Sequence, residues 1–156
     1  MNRRAMLVTA AAVITTSRGA WAHHGWSSFD ESKPIFLQGK VTRVKWQNPH
    51  AELELATTGQ QMPNDLAERK IPAQQGPVDA AKILAAASAP TRTGATWTVE
   101  LAPLTRLQAW KIGEIKAGSL VEVIGYTFKA EKGAALLRAE FLFVGGFAYG
   151  LRSSPA

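Results

Sequence analysis

The stretch GKVTRVKWQNPHAELEL, residues 39–55, carries two strand patterns on either side of a turn. β-Branched and aromatic residues dominate its first half, where Gly39 is compatible with a bulge. Asn48 favours a turn because Pro49 disfavours helical backbone at the preceding residue. The second half alternates, with Ala51, Leu53 and Leu55 on one face and His50, Glu52 and Glu54 on the other. This alternation predicts a half-buried strand that begins with His50 on its polar face.

Five strand patterns in total indicate the fold class. The first covers Ile35–Trp46 and the second follows Pro49; the others are Thr96–Ala102, Leu120–Phe128 and residues 134–144. The fourth is apolar on both faces, which is typical of a central strand. Five strands with few helices predict a mainly β, small OB-like five-stranded barrel. A generic five-stranded sandwich is the alternative.

A long insertion separates the second and third strands at about residues 59–95. It is rich in Pro, Ala and Gln. Asp79 is a suitable N-cap for a short helix from Ala80 to about Ala87, and a second short helix is expected over Leu66–Lys70. The segment is interpreted as a partly mobile lid or a tolerated loop. The tail from Gly145 onward has no periodic pattern.

The first 22 residues have the features of a cleaved signal peptide. Two arginines at positions 3 and 4 precede an apolar stretch over residues 5–16. Ala20 and Ala22 then form the small-x-small pattern that signal peptidases cleave. The paired arginines resemble a twin-arginine signal. We therefore expect residues 1–22 to be removed, leaving residues 23–156 as a single periplasmic domain that begins with His23.

Charge and composition restrict the function classes. Removing residues 1–22 lowers the formal net charge from +6 to +3, and the remaining basic residues are scattered among acidic ones. Nucleic-acid binding is disfavoured, because it requires a clustered basic face. The chain contains no cysteine, so neither a disulfide nor a catalytic thiolate is available. No apolar run after the N-terminus is long enough for a transmembrane helix.

Three segments together resemble a known family. They are AHHGWSSFD (residues 22–30), GKVTRVKWQNPHAELEL (residues 39–55) and IKAGSLVEVIGYTF (residues 115–128). The pattern is similar to that of small secreted bacterial proteins classed as a domain of unknown function, and the Asn-Pro-His-Ala element is its most specific part. The resemblance implies an exported β-barrel and supplies no established activity.

The chain has three histidines, and two of them stand at the predicted cleavage point. Once residues 1–22 are removed, the free amine and the Nδ1 atom of His23 can chelate one metal ion together. A further imidazole, from His50 or His24, would complete the three-nitrogen histidine brace seen in exported copper proteins. Imidazole nitrogens suit copper, which heads the affinity order of divalent ions. The sequence therefore predicts a copper site. Zinc is disfavoured because the chain has no cysteine to serve as a ligand.

Less specific interpretations of the same residues stay open. Residues 23–34 are expected to form an extended arm that could bind metals only weakly. His50 could instead hydrogen-bond a turn carbonyl or Glu52. Asp30 is a candidate oxygen ligand, although aspartates in such segments commonly form turns.

A non-catalytic module that binds an envelope protein or glycan is the alternative function. Trp26 and Trp110 are candidate contact residues, whereas Trp46 and Trp97 are expected to fill the core. Arg106 could bind a carboxylate or phosphate, or pair with a nearby acid. Ordinary enzyme chemistry is disfavoured, since there is no Gly-x-Ser-x-Gly motif. A copper oxygenase ranks below simple copper binding or delivery.

Overall fold

The computed structural model describes residues 25–57 and 61–156. Its strands are β1 (Ile35–Lys45), β2 (Glu52–Thr57), β3 (Thr96–Glu100), β4 (Leu120–Tyr126), β5 (Leu136–Val144) and β6 (Phe147–Gly150). Its α-helices are α1 (Ala80–Ala86) and α2 (Leu104–Ala109), and 3₁₀ turns cover Trp26–Ser28, Leu66–Glu68 and Lys129–Glu131. No helix within the described residues is long and apolar enough to cross a membrane.

The strands form a closed five-stranded barrel with one added strand. Neighbouring strands follow the order β3-β2-β1-β4-β5-β6, and β3 also pairs with β5 in parallel. That parallel pairing closes β1 to β5 into a barrel, while β6 extends β5 as an antiparallel edge strand. The prediction of a small OB-like barrel is confirmed.

The barrel interior is filled by the apolar faces that the sequence pattern predicted. Leu53 and Leu55 of β2 are almost fully buried, whereas Glu52 and Glu54 are not. Trp97 is completely buried, and Trp46 packs against the same core while remaining partly exposed. Both tryptophans thus contribute to packing, as expected.

The insertion packs on the outer surface of the barrel. Phe36, Ile124 and Phe141 point outward from their strands and are covered by Leu66 and Leu84. The predicted helix in this region is present, and the Asp79 side chain accepts a hydrogen bond from the Lys82 amide at 3.0 Å. The helix therefore buries Leu84 against the barrel, and together with Leu66 it covers part of the outer surface.

Strand β6 was not predicted from the sequence. It follows Gly145 and Gly146, whose φ angles of 60° and 82° make a turn that residues with a side chain rarely adopt. Four residues are too few for an alternating pattern to stand out, and their pairing depends on this turn. The predicted extended arm also differs, because Trp26–Ser28 forms a 3₁₀ turn.

Gly125 is expected to be essential for the pairing of β4 with β5. A Cβ atom at this position would overlap the Arg138 carbonyl oxygen and lie 2.9 Å from Leu137 Cδ2. We expect Gly125→Ala to lower the free energy of unfolding by about 1–3 kcal/mol, as overpacking does elsewhere. Chemical denaturation measures this change. Gly113→Ala is the control, since a Cβ there meets no atom within 4 Å among the described residues; equal stability of the two variants would contradict the prediction.

Candidate functional site

His50 lies between the Asn48–Pro49 turn and β2. The backbone around it is held by Ala51 N–H donating to the Ala102 carbonyl at 3.3 Å and Leu101 N–H donating to the Ala51 carbonyl at 2.8 Å. Only 18% of the His50 side chain is exposed. The ring is therefore fixed at the end of the barrel where β3 also ends.

Both ring nitrogens of His50 have partners on neighbouring strands. Its Nδ1 atom is 2.8 Å from Glu100 Oε1, and its Nε2 atom is 3.2 Å from Arg138 Nη2. A guanidinium can only donate hydrogen bonds, so Nε2 accepts and Nδ1 carries the proton that is donated to Glu100. This network assigns a neutral imidazole whose Nε2 lone pair faces Arg138.

The two partners of His50 also form an ion pair with each other, and this pair lies across the β3–β5 pairing that closes the barrel. Glu100 of β3 is in register with Arg138 of β5, and Arg138 Nη1 donates to the same Oε1 atom that faces His50. Burial lowers the pKa of Arg138, and the Glu100 carboxylate opposes that effect. The arginine keeps its charge nevertheless, because a guanidinium starts from so high a pKa.

Trp26 connects this ion pair to the C-terminal segment. Its ring centroid lies 4.9 Å from the guanidinium carbon of Arg138 and 3.7 Å from that of Arg152. Tyr126 meets the same ring edge-on at 6.3 Å. Cations over an indole ring are attracted by its negative face. The first described residues of the chain are thus attached to β4, β5 and the tail.

Glu140 is a completely buried acid beside this contact. Its Oε2 atom accepts two hydrogen bonds from Arg152, at 2.9 and 2.6 Å, whereas Oε1 has no hydrogen-bond partner among the described residues. Arg152 also donates to Glu31. Burial raises the pKa of Glu140, and Arg152 opposes the shift. Burial and the Glu140 charge raise the pKa of Tyr126 to about 12, so this residue stays a neutral phenol.

The remaining sequence candidates have structural partners. Asp30 accepts hydrogen bonds from the Ser32 amide and hydroxyl at 3.1 and 2.5 Å, which lowers its pKa and matches the turn-forming alternative. Arg106 donates to the Leu151 carbonyl at 3.0 Å. The Trp110 indole N–H donates to the Ser153 carbonyl at 2.8 Å. Arg106 and Trp110 therefore hold the C-terminal segment in place.

His23 and His24 lie outside the described residues, so the predicted three-histidine site is not described as a whole. Within the described residues, no cluster of three or more His, Asp or Glu side chains could hold a metal ion. The structure does bring two predicted residues together, since Arg138 contacts both His50 and Trp26.

The sequence analysis missed the charged residues of this site. Glu100, Arg138, Glu140 and Arg152 were not candidates. A signal was present in LLRAEFLFV, residues 136–144, where an arginine and a glutamate interrupt an otherwise apolar strand. Charged residues are rarely buried unless they are paired, so this pattern predicts ionic partners from other strands.

A shallow groove lies on another face of the barrel. It has a volume of about 450 Å³ and is bordered by the exposed Leu120 and Phe147, which are 74% and 67% accessible. Arg69 lies along it, 4.8 Å from the Phe143 ring centroid. Trp26, Arg106 and Trp110 do not line this groove.

A model of a family of unknown function (DUF6152) matches residues 11–66. The match is about a third of the chain and includes Trp26, β1, β2 and His50. Neither the search of curated proteins nor the search of solved structures found a match. The chain is therefore similar to a family of unknown function over its N-terminal part, whereas Glu100, Arg138 and Arg152 lie beyond the matched segment.

The buried Glu140 should give the protein a measurable pH dependence. Because its pKa is raised above the usual 4.5, the folded protein binds this proton more tightly than the unfolded chain does. The stability contributed by the protonated group is present below about pH 4.5 and is lost as the pH rises through the folded-state pKa. Because glutamine does not titrate, we expect the free energy of unfolding of Glu140→Gln to lack this decrease with rising pH. Urea denaturation from pH 4 to 8 measures the slope, and identical slopes for both proteins would contradict the prediction.

Proposed function

We propose that the protein binds a copper ion in the periplasm through His50 and the amino-terminal His23 of the processed chain, with His24 as an additional candidate ligand. The observation that carries the proposal is the orientation of His50. Its Nδ1–H is donated to Glu100, so Nε2, which accepts a hydrogen bond from Arg138, is the nitrogen that would coordinate the ion. Histidine ligands of metals characteristically donate their other ring N–H to a carboxylate in this way.

The short sequence separation from Trp26 supports the proposal that the other ligands reach this nitrogen. Trp26 contacts Arg138, and Arg138 contacts His50 Nε2. His24 is two residues and His23 three residues before Trp26. A fully extended chain spans about 3.3–3.6 Å per residue, so the Cα of His23 is at most about 11 Å from that of Trp26. An amino-terminal chelate at His23 is thus compatible with a shared site at His50.

Arg138 would have to release His50 Nε2 when the metal binds. A guanidinium has no lone pair for coordination, and its charge repels a cation. Its bond to Glu100 and its contact with the Trp26 ring do not involve Nε2, so they can retain the side chain nearby. One hydrogen bond is then exchanged for a metal–nitrogen bond.

The proposed ligand set selects copper by its chemistry. One amine and two imidazole nitrogens form a neutral, borderline-soft set, for which copper has the highest affinity among the divalent first-row metals. Binding or delivery of the ion is the function proposed. Oxygen activation would be a further step that needs a substrate surface.

The first test compares processed protein that starts at His23 with a form carrying one additional glycine before it. We expect tight one-to-one binding in competition titrations with Cu(II), and with Cu(I) under reductant, only for the form with a free His23 amine. Both forms should give the same circular dichroism spectrum, because the barrel does not include residue 23. Equal and weak binding by both forms would overturn the proposal and favour the envelope-module alternative.

His50 and its orienting acid provide the second test. We expect His50→Gln to abolish tight binding and Glu100→Gln to weaken it by about 10–100-fold, the usual effect of losing a hydrogen bond to a metal ligand. Glu52→Gln is the matched control, since Glu52 lies on the same polar face and pairs with Lys45. The same titration, made after the folded fraction of each variant has been verified, provides the affinities. Unchanged copper affinity in His50→Gln would exclude His50 as a ligand.

A further inference from the structure

Leu120 and Phe147 form an exposed apolar patch on the barrel. Leu120 begins β4, and Phe147 begins β6 directly after the Gly145–Gly146 turn. Among the described residues, these are the large apolar side chains that remain mostly exposed to solvent. Both border the groove of about 450 Å³, and Phe147 also borders a second recess together with Tyr149. Neighbouring exposed apolar side chains commonly mark an interaction surface.

Arg69 attaches the segment beside the groove to two strands. It forms ion pairs with Glu122 of β4 at 2.5 Å and with Asp65 at 3.2 Å. Its guanidinium carbon lies 4.8 Å from the ring centroid of Phe143 on β5. The backbone of Arg69 is extended, so neighbouring side chains point to opposite sides. Because the Arg69 side chain is turned toward the barrel, the residues before and after it carry theirs outward.

Those two neighbours, Glu68 and Lys70, are charges of opposite sign. Both are exposed, and neither takes part in an ion pair within the part of the chain that the structure describes. Lys70 lines the groove, as do Asp65 and Glu122, but both of these acids are already paired with Arg69. The apolar patch is therefore flanked by one available negative charge and one available positive charge.

We propose that this patch is the interface of a homodimer, in which two copies of the chain pair about a twofold axis. A twofold interface brings the same surface of both copies together, so each contact occurs twice with its partners exchanged. Glu68 of each copy pairs with Lys70 of the other copy. Phe147 of each copy packs over the groove of the other, beside Leu120. A purely acidic or purely basic partner would match only one of the two charges, whereas a second copy matches both.

The small size of the patch determines how strong the dimer can be. Stable interfaces bury about 800 Å² on each partner, and a few anchor residues at their centre carry most of the energy. Two exposed apolar side chains per copy make a small centre, so we expect a dissociation constant in the micromolar range or weaker. His50 and its partners Glu100 and Arg138 do not line the patch. The dimer is thus independent of the proposed copper site.

Sedimentation velocity of metal-free, processed protein that starts at His23, over the micromolar to millimolar range, tests the dimer. We expect a concentration-dependent shift from monomer to dimer. Phe147→Asp should weaken dimerisation by at least about tenfold, because it places a charge at the centre of the interface. Lys132→Glu should leave dimerisation unchanged and is the matched control, since Lys132 is exposed and lies beyond the opposite end of β4. Circular dichroism verifies that each variant is folded.

Charge reversal tests the twofold pairing itself. Glu68→Lys and Lys70→Glu should each weaken self-association by at least about tenfold, because like charges would then face each other across the interface. An equimolar mixture of the two variants should form a heterodimer, since a chain with two lysines at these positions meets a chain with two glutamates. Native mass spectrometry of the mixture distinguishes the heterodimer from both homodimers by mass.

Several results would overturn the proposal. A monomer at every concentration would exclude the dimer, and a dimer that is equally stable in Phe147→Asp would place the interface elsewhere. If the mixed charge variants form no heterodimer, the twofold pairing is wrong. Lys40, opposite Leu120 on β1, is a further exposed cation. Binding of monomeric protein to phosphatidylglycerol vesicles, lost in Phe147→Asp, would therefore assign the patch to a membrane surface instead.

Discussion

The parallel pairing of β3 with β5 is the constraint on which the rest of the structure depends. It closes the barrel and, through its register, sets Glu100 directly beside Arg138. Both side chains are almost entirely buried. A buried ion pair therefore joins the two strands in addition to their backbone hydrogen bonds. Removing either partner would leave a buried charge, which typically costs about 3–5 kcal/mol. The position of His50 follows, because its ring is oriented by this pair.

The same strand connects the barrel to both ends of the described chain. Arg138 and Glu140 are two residues apart on β5 and therefore point to the same side of the sheet. Trp26 covers Arg138, and Arg152 donates hydrogen bonds to one carboxylate oxygen of Glu140. Burying Glu140 is unfavourable, as its raised pKa indicates, and an apolar residue would pack there at lower cost. The buried acid lowers the stability of the fold, but it fixes Arg152. Glu140 thereby defines the path of the C-terminal segment.

The five barrel strands, the Asp79 helix cap and the polar face of β2 could be predicted because each is encoded by residues close together in the sequence. Strand β6 could not, since its four residues gain their conformation from the Gly145–Gly146 turn and from pairing with β5. The Glu100–Arg138 pair was missed for a different reason. It joins residues 38 positions apart, and nothing local specifies the register of a parallel pairing. Of the candidate site, His50 and Trp26 were identified singly, but their connection through Arg138 required the fold.

The charge of Arg138 bears on which form of copper the proposed site would favour. Two unit charges about 4 Å apart interact by about 4 kcal/mol at an effective dielectric constant of 20, and the repulsion doubles for a divalent ion. Glu100 lies beside His50 and would offset part of this penalty, but its charge is already paired with that of Arg138. Cu(II) would therefore be penalised more than Cu(I) unless Arg138 moves away.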